Sequence, residues 1–144
     1  MQKVIDWRLR PPFGSYKGCA IFETATKSKL ANPNVPKSVT EFSMEYLIQE
    51  MDEANVVKGV IPIRKENDND DIARIQELYP GRFEGLAHID PFEGQKALDD
   101  IDKYVVNGPA KGIILEPGQI FLQDSMLPDD KRLWPIYEKC QAED

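Results

Sequence analysis

Histidine and cysteine are both scarce in this chain of 144 residues. The one histidine is His88, so a mechanism that needs several imidazole groups cannot be assembled from a single copy. The two cysteines, Cys19 and Cys140, lie far apart in the sequence and form neither a metal-binding spacing nor a disulfide framework. This cysteine usage indicates a reducing cytoplasm as the location of the protein.

Long apolar runs and an excess of basic residues are also absent. No stretch approaches the roughly 20 apolar residues that a membrane-spanning helix needs. Asp6, Arg8 and Arg10 interrupt the N-terminal region, so it shows no signal-peptide architecture. Acidic residues outnumber basic ones by 25 to 18, giving a formal net charge of −7. An acidic chain without a basic stripe repels phosphate groups, so we expect neither nucleic acid nor a membrane as a partner.

A repeated pattern, in which a charged residue and a glycine precede an apolar run, organises the sequence. It occurs at residues 58–63, 84–89 and 111–116. Short runs that are apolar at consecutive positions are typical of parallel strands with both faces buried. Parallel neighbours need a long crossover, usually a helix, and the near-constant spacing of these runs fits one βα unit. We therefore predict consecutive strands of barrel type.

A fourth strand is predicted at the start of the chain, from Val4 through Arg10, before Pro11 and Pro12 interrupt it. Apolar stripes between the strands predict helices, the last of them around residues 133–140. Pro117-Gly118 is predicted to be a turn, followed by a loop to Asp130. The fold class is thus α/β, with about four parallel βα repeats of TIM-barrel type. A closed barrel of eight strands needs about 250 residues, so residues 1–144 correspond to half of one.

The segment 11–37 interrupts this regular alternation. It is rich in proline, glycine, serine, asparagine and lysine and shows no sustained periodicity apart from a patch at Ile21-Phe22. A structureless loop of this length is uncommon inside a compact domain and is usually functional. We therefore interpret residues 11–37 as a long loop or lid.

Polar side chains follow the predicted strands at their carboxyl ends, where barrel enzymes place their chemistry. These candidate site residues are Arg8, Arg10, Arg64, His88, Asp90 and Glu116.

The arginines are candidates for substrate binding. Arg8 and Arg10 share one face of a strand by the two-residue period, and Arg64 follows the second strand. Planar guanidinium groups bind carboxylate and phosphate bidentately, which favours a small anionic molecule as the partner. The alternative for Arg8 and Arg10 is internal pairing with Asp6, Asp90 or Glu116, because buried arginines are normally paired.

His88 and Glu116 are the candidate catalytic residues. His88 can act as a general base or a lone metal ligand, and the alternative is a hydrogen-bonded core histidine. Asp90 is a candidate for substrate binding, but it also precedes Pro91 and can simply cap the next helix. Glu116 with His88 could bind one divalent metal such as zinc, but two ligands fall short of the usual three or four. We therefore predict no metal site and no cofactor.

The acidic and amide cluster Asn67–Asp71 precedes an apolar helical stripe. Such residues favour a helix N-terminus, and a calcium site is the alternative. The cluster lacks the glycine and the terminal glutamate of an EF-hand loop, which favours the helix.

Several segments of the chain resemble the amidohydrolase superfamily. They are Ile5-Asp6, Met51–Val56, Tyr79–Phe83, Gly85–Pro91 and Lys111–Ile113. The resemblance is to the amidohydrolase 2 branch, which contains metal-dependent hydrolases and decarboxylases of small carboxylated substrates. It extends over nearly the whole chain but covers only the amino-terminal half of such a barrel.

The chain departs from this family at the metal site. In the family an Ile-Asp-x-His-x-His run supplies two metal ligands from the first strand, and here Arg8 and Arg10 stand in those two places. A guanidinium stays protonated and has no lone pair to offer a metal. Residues 113–115 are apolar where some members carry a bridging lysine. The resemblance therefore implies the fold without the binuclear metal centre.

Three hypotheses for the function follow. In the first, the chain is half of a hydrolase or decarboxylase acting on a small anionic organic substrate, and a missing carboxyl-terminal half supplies further groups. In the second, it is a non-catalytic ligand-binding or scaffold protein derived from that family. In the third, 144 residues are what remains after truncation, which is compatible with the first. A half-barrel leaves open edges and an apolar interior, so we expect a homo-oligomer or pairing with the missing half.

Overall fold

The computed structural model describes residues 2–28 and 34–143. Four parallel strands form one sheet in sequence order. They are β1 (Val4–Asp6), β2 (Val56–Pro62), β3 (Phe83–His88) and β4 (Ile113–Ile114). The predicted α/β class with parallel βα repeats is confirmed.

Helices follow each strand. They are α1 (Ala20–Ser28), α2 (Lys37–Thr40), α3 (Met44–Glu53), α4 (Asp71–Leu78), α5 (Gln95–Ile101), α6 (Pro117–Asp124) and α7 (Trp134–Ala142). A π-helical stretch, Asp102–Val106, continues α5, and 3₁₀ turns lie at Gly14–Tyr16, Glu66–Asp68, Pro91–Glu93 and Lys131–Leu133. Ser43 begins α3, because its hydroxyl accepts a hydrogen bond from the Tyr46 amide at 3.3 Å.

Two of the three repeat glycines are explained by close packing. A Cβ on Gly85 would lie 2.4 Å from the Ile72 side chain of α4, and one on Gly59 would lie 2.3 Å from the Leu9 side chain. A Cβ on Gly112 would make only an ordinary contact, 3.4 Å from Leu86. Gly59 and Gly85 therefore stand where a neighbouring side chain packs directly against the backbone of β2 or β3.

The main core lies between one face of the sheet and the helices that cover it. Its buried members on the strands or directly after them include Ile61, Ile63, Phe83, Ala87 and Ile89, and those on the helices include Leu47, Met51, Ile72, Ile75, Ala97 and Ile101. Along β3 the buried residues alternate with half-buried ones. This alternation leaves Glu84, Leu86 and His88 on the face that the helices do not cover.

The first strand is shorter than predicted. β1 ends at Asp6, and Trp7 and Arg8 form a turn in which the Asp6 carboxylate accepts a hydrogen bond from the Arg8 amide at 3.0 Å. The chain returns to the sheet at Leu9, whose amide donates to the Val60 carbonyl at 2.9 Å. The prediction that Arg8 and Arg10 lie in the strand is therefore wrong, because Asp6 supplies a side-chain acceptor that favours a turn.

Two segments predicted to be irregular contain helices. Within 11–37, the 3₁₀ turn Gly14–Tyr16 and helix α1 replace part of the expected loop, and residues 29–33 of that segment lie outside the described residues. Pro117 does not simply turn the chain but occupies the first turn of α6. Proline is well suited to that place, because an N–H in the first turn of a helix has no acceptor within the helix and proline has no N–H to satisfy.

Within the described residues, no helix combines the length and the apolar content that crossing a membrane requires.

Candidate functional site

An open pocket of about 310 Å³ lies at the carboxyl ends of the strands. It is lined by Arg8, Arg10, Tyr16, Cys19, Ala20, Ile21, Pro62, Arg64 and Glu116. We call it the arginine pocket. The fold thus brings together four of the six predicted site residues, contributed by the segments that follow β1, β2 and β4.

Arg8 forms an ion pair with Glu116 at the carboxyl ends of the strands. Its Nη2 lies 2.9 Å from Oε1 of Glu116. The two residues follow the first and fourth strands, and three strand intervals of about 4.8 Å separate these strands in the sheet. A curved sheet brings their side chains within reach. Arg8 therefore has the ion-pair partner Glu116 in the structure, although its side chain is exposed and the pair is not an internal one.

Arg10 and Arg64 are not neutralised in the same way. Arg64 Nη1 donates to the sulfur of Cys19, which is an uncharged partner in its thiol form. Among the described residues, no carboxylate lies within salt-bridge distance of either guanidinium. The arginine pocket thus contains three guanidinium groups and one carboxylate, Glu116, so its net charge is positive.

Tyr16 forms the floor of the pocket. Its side chain is buried, and its hydroxyl donates to the Pro62 carbonyl at 2.6 Å. Burial raises the pKa of Tyr16 to about 12, although Arg10 and Arg64 act in the opposite direction. The hydroxyl therefore stays protonated at neutral pH. It ties the 3₁₀ turn Gly14–Tyr16 to the end of β2 and holds the segment that leads to Cys19 in place.

His88 lies in a smaller pocket of about 50 Å³ that shares Glu116 with the arginine pocket. Its backbone amide and carbonyl both bond to the buried side chain of Asn69, at 2.8 and 3.0 Å. Its ring Nδ1 is buried, and within the described residues it has no hydrogen-bond partner. The alternative of a core histidine with a satisfied ring therefore does not hold at Nδ1.

Asp90 lines the same small pocket, but its carboxylate is engaged locally. Its Oδ1 accepts a hydrogen bond from the Phe92 amide at 2.9 Å and begins the 3₁₀ turn Pro91–Glu93. The capping alternative is therefore present in the structure. A role of Asp90 in substrate binding stays a prediction.

The rim does not fit a metal centre of the family type. His88, Asp90 and Glu116 line the small pocket, but among the described residues they do not form a group of ligand atoms within 4.8 Å of one another, and Glu116 already pairs with Arg8. In the described part of the chain, the group of three potential ligands whose atoms lie within 4.8 Å of one another is Glu66, Glu93 and Asp100. The Lys96 ammonium contacts all three carboxylates at 2.5–3.0 Å and occupies the centre of that group.

An apolar pocket of about 280 Å³ adjoins the arginine pocket. The two pockets share Arg8, Arg10 and Ile21. The remaining walls of the apolar pocket come from Asp6, Leu9, Phe22, Ala25, Val35, Pro36 and Val39. A guanidinium-lined space therefore opens directly beside a space lined mainly by hydrocarbon.

Sequence reasoning missed the contribution of the segment 16–22 to both pockets. Tyr16, Cys19 and Ile21 lie in the stretch that was interpreted as a loop, and the Ile21-Phe22 patch was the one signal of packing there. It also missed Asn69, which bridges to the backbone of His88 rather than capping α4. The signal for Asn69 was weak, because asparagine is common before helices for local reasons.

No protein-family model and no curated protein matches the chain. Among solved structures, an uncharacterized TIM-barrel protein from Bordetella bronchiseptica has a TM-score of 0.72 and 27% identity, covering 98% of this chain and 52% of that one. A mutant 5-carboxyvanillate decarboxylase from Novosphingobium aromaticivorans, solved with manganese and 3-methoxy-4-hydroxy-5-nitrobenzoic acid, has a TM-score of 0.53 and 14% identity, covering 98% and 48%. The chain therefore has the TIM-barrel type of fold and spans about half the length of these two proteins.

Proposed function

We propose that the chain is the amino-terminal half of an amidohydrolase-related barrel, and that its arginine pocket binds the carboxylate of a small organic acid on which a hydrolase or decarboxylase acts. The observation that carries the proposal is the charge of the pocket. Three guanidinium groups share it with one carboxylate, so it lacks the anions that would balance it.

The position of the pocket supports a role in a reaction. In TIM-barrel enzymes, the loops after the strands at their carboxyl ends form the active site. Arg8 and Arg10 follow β1, Arg64 follows β2, and His88 ends β3. A carboxylate bound by Arg10 and Arg64 would lie beside Glu116, which forms the wall between the arginine pocket and the His88 pocket.

The adjoining apolar pocket supports an organic acid over an inorganic anion. A ligand whose carboxylate meets Arg10 can place a hydrocarbon part against Ile21, Phe22 and Val39. Each buried methylene contributes about 0.8 kcal/mol, which tightens binding about fourfold. Phosphate offers the charge without this apolar gain.

His88 and Glu116 are the groups that we assign to the chemical step. His88 lines the small pocket, so its imidazole is the group there that can exchange a proton with a substrate. Glu116 pairs with Arg8 and lines both pockets. The decarboxylase with a similar fold binds a substituted benzoic acid, which is consistent with a carboxylated substrate but does not distinguish decarboxylation from hydrolysis.

A ligand-binding protein without catalysis is the second candidate. Arginines stand in the two places where the related family has metal-binding histidines, and among the described residues the rim brings no three potential metal ligands within 4.8 Å of one another. The binding half of the proposal is common to both candidates. They differ in whether a bound acid is converted.

Calorimetric titration with acetate, butanoate and hexanoate tests the binding. We expect affinity to rise along the series and to fall at least tenfold in the Arg10→Gln variant. Lys111→Gln is the matched control, because it removes the same charge from an exposed residue before β4, at the opposite end of the sheet. Equal affinities in wild type and Arg10→Gln would contradict the proposal.

Catalysis is tested separately by incubating the protein with acids and esters and following carbon dioxide release and acid production. Turnover that disappears in His88→Gln, while acid binding persists, supports the enzyme. Binding without turnover over the whole substrate set supports the ligand-binding protein.

A further inference from the structure

The arginine pocket and the apolar pocket share Arg8, Arg10 and Ile21 and so form one cleft. Two carboxylates line this cleft, Glu116 in the arginine pocket and Asp6 in the apolar pocket. Glu116 is paired with Arg8. Among the described residues, no cationic group lies within salt-bridge distance of the Asp6 carboxylate. Asp6 is therefore the carboxylate of the cleft whose charge no partner in the described chain balances.

Asp6 is positioned by the turn that ends β1. Its Oδ1 accepts the hydrogen bond from the Arg8 amide at 3.0 Å. This bond needs an acceptor and not a negative charge, so it does not explain why an aspartate stands here rather than an asparagine. In the described part of the chain, the Asp6 carboxylate forms no other hydrogen bond. The charge of Asp6 is thus free to act on a ligand.

Arg10 is the cationic counterpart of Asp6 in the same cleft. Both residues line the apolar pocket, and Arg10 also lines the arginine pocket. Their charged groups do not reach salt-bridge distance of each other. The cleft therefore keeps one positive and one negative charge apart, in a space that Ile21, Phe22 and Val39 line with hydrocarbon. Charges beside apolar walls are stabilised by a partner of opposite charge, which a ligand can supply.

We propose that the cleft binds a zwitterionic ω-amino acid, with the carboxylate at Arg10, the ammonium at Asp6 and the methylene chain on the apolar walls. The inference rests on the proposed function, because it uses the same carboxylate site, and it names the class of organic acid. An ammonium has three donors and forms charge-assisted hydrogen bonds with a carboxylate. A fatty acid leaves Asp6 without a partner. An α-amino acid carries its two charges side by side, whereas Arg10 and Asp6 are separated.

Matched pairs of ligands isolate the contribution of the ammonium. In each pair the terminal methyl of a fatty acid is replaced by an ammonium in a chain of the same length. The pairs are butanoate with 3-aminopropanoate, pentanoate with 4-aminobutanoate, and hexanoate with 5-aminopentanoate. Three lengths are used because each added methylene moves the ammonium further from the carboxylate, so that one of them fits the separation of Arg10 and Asp6 best.

Calorimetric titration of wild type and Asp6→Asn with these pairs is the test. The substitution removes the charge and keeps the acceptor for the Arg8 amide. We expect the affinity for at least one ω-amino acid to fall about fivefold, as for a partly exposed ion pair, while that for the matched fatty acid changes by less than about twofold. Retained fatty-acid binding also shows that the variant is folded. Asp129→Asn is the matched control, because Asp129 is exposed and lines neither pocket, and it is expected to change none of the affinities.

Affinities for the ω-amino acids that are equal in wild type and Asp6→Asn at all three lengths would overturn the inference. If hexanoate binding still depends on Arg10 in that case, the proposed function stands and this inference alone fails. If no acid of either kind binds, or if binding is insensitive to Arg10→Gln, the proposed function fails as well.

Discussion

Two charged clusters near the carboxyl ends of the strands differ in how their charges are balanced. Around Lys96, three carboxylates surround one ammonium, and all three contact it within 3.0 Å. In the arginine pocket, three guanidinium groups share one carboxylate. The first cluster carries an excess of negative charge, but the ammonium already lies between its carboxylates and fills the space that a bound cation would take. The second has room of about 310 Å³ and unbalanced positive charge, as expected of a site that binds an anion.

The largest expected effect comes from Asn69, the buried residue whose side chain bonds to the backbone of His88. Asn69→Ala leaves the backbone amide and carbonyl of His88 without their partner, and each unpaired buried group costs about 1–3 kcal/mol. We expect the free energy of unfolding in urea to fall by about 2–4 kcal/mol. Asn69→Asp keeps the acceptor for the amide and loses the donor to the carbonyl, so a smaller loss is expected. An unchanged urea midpoint in Asn69→Ala would contradict this role.

Tyr16 makes the floor of the arginine pocket sensitive to alkaline pH. Its pKa is raised to about 12 by burial, so the folded state holds the phenolic proton more tightly than the unfolded state does. The stabilisation is fully present below pH 10, the unfolded pKa, and is lost as the pH rises toward 12. Between these values we expect the free energy of unfolding to fall by about 2–3 kcal/mol more in wild type than in Tyr16→Phe. Parallel pH profiles of the two proteins would show that Tyr16 does not titrate in this way.

Removing Lys96 tests whether its cluster is purely structural. Hydrogen bonds to the carboxylates of Glu66, Glu93 and Asp100 raise the pKa of Lys96, so the folded protein favours the charged form of this side chain. Lys96→Met leaves three carboxylates facing one another, and we expect a lower thermal midpoint with hexanoate affinity unchanged. The stability loss should be smaller than in Asn69→Ala, because half of the Lys96 side chain is solvent-exposed. A large change in hexanoate affinity would mean that the two clusters are not independent.

The smallest expected effect on binding or stability comes from Glu116, the one carboxylate in the arginine pocket. A bound acid competes with Glu116 for Arg8, and partly exposed pairs of this kind are worth about 0.2–1 kcal/mol. Glu116→Gln should therefore tighten hexanoate binding, up to about fivefold, while any turnover is lost. Weaker hexanoate binding in the variant would show that Glu116 helps to hold the ligand instead of competing with it.

The sequence predicted the centre of the fold better than its margins. The runs that became β2 and β3 are long and buried, so their apolar pattern is strong. β1 has three residues and β4 has two, and their ends depend on partners elsewhere in the fold. Asp6 ends β1 through a turn that competes with the apolar pattern of residues 4–9.

The sequence predicted four of the residues that line the arginine pocket, but not the arrangement of the pocket. Strand ends identified Arg8, Arg10, Arg64 and Glu116 as neighbours, and the structure brings them into one pocket. The contribution of Tyr16 and Cys19 could not be predicted, because it depends on long-range contacts to Pro62 and Arg64. Local composition contains no information about such contacts, so the segment 11–37 resembled a loop.

The most direct test of the arginine pocket is a crystal structure of the protein with 6-bromohexanoate, in which anomalous scattering locates the bromine. We expect the carboxylate within about 3 Å of the guanidinium nitrogens of Arg10 and Arg64. The bromine is expected in the apolar pocket beside Ile21 and Val39. A carboxylate bound elsewhere on the protein, with the arginine pocket filled only by water, would contradict the account.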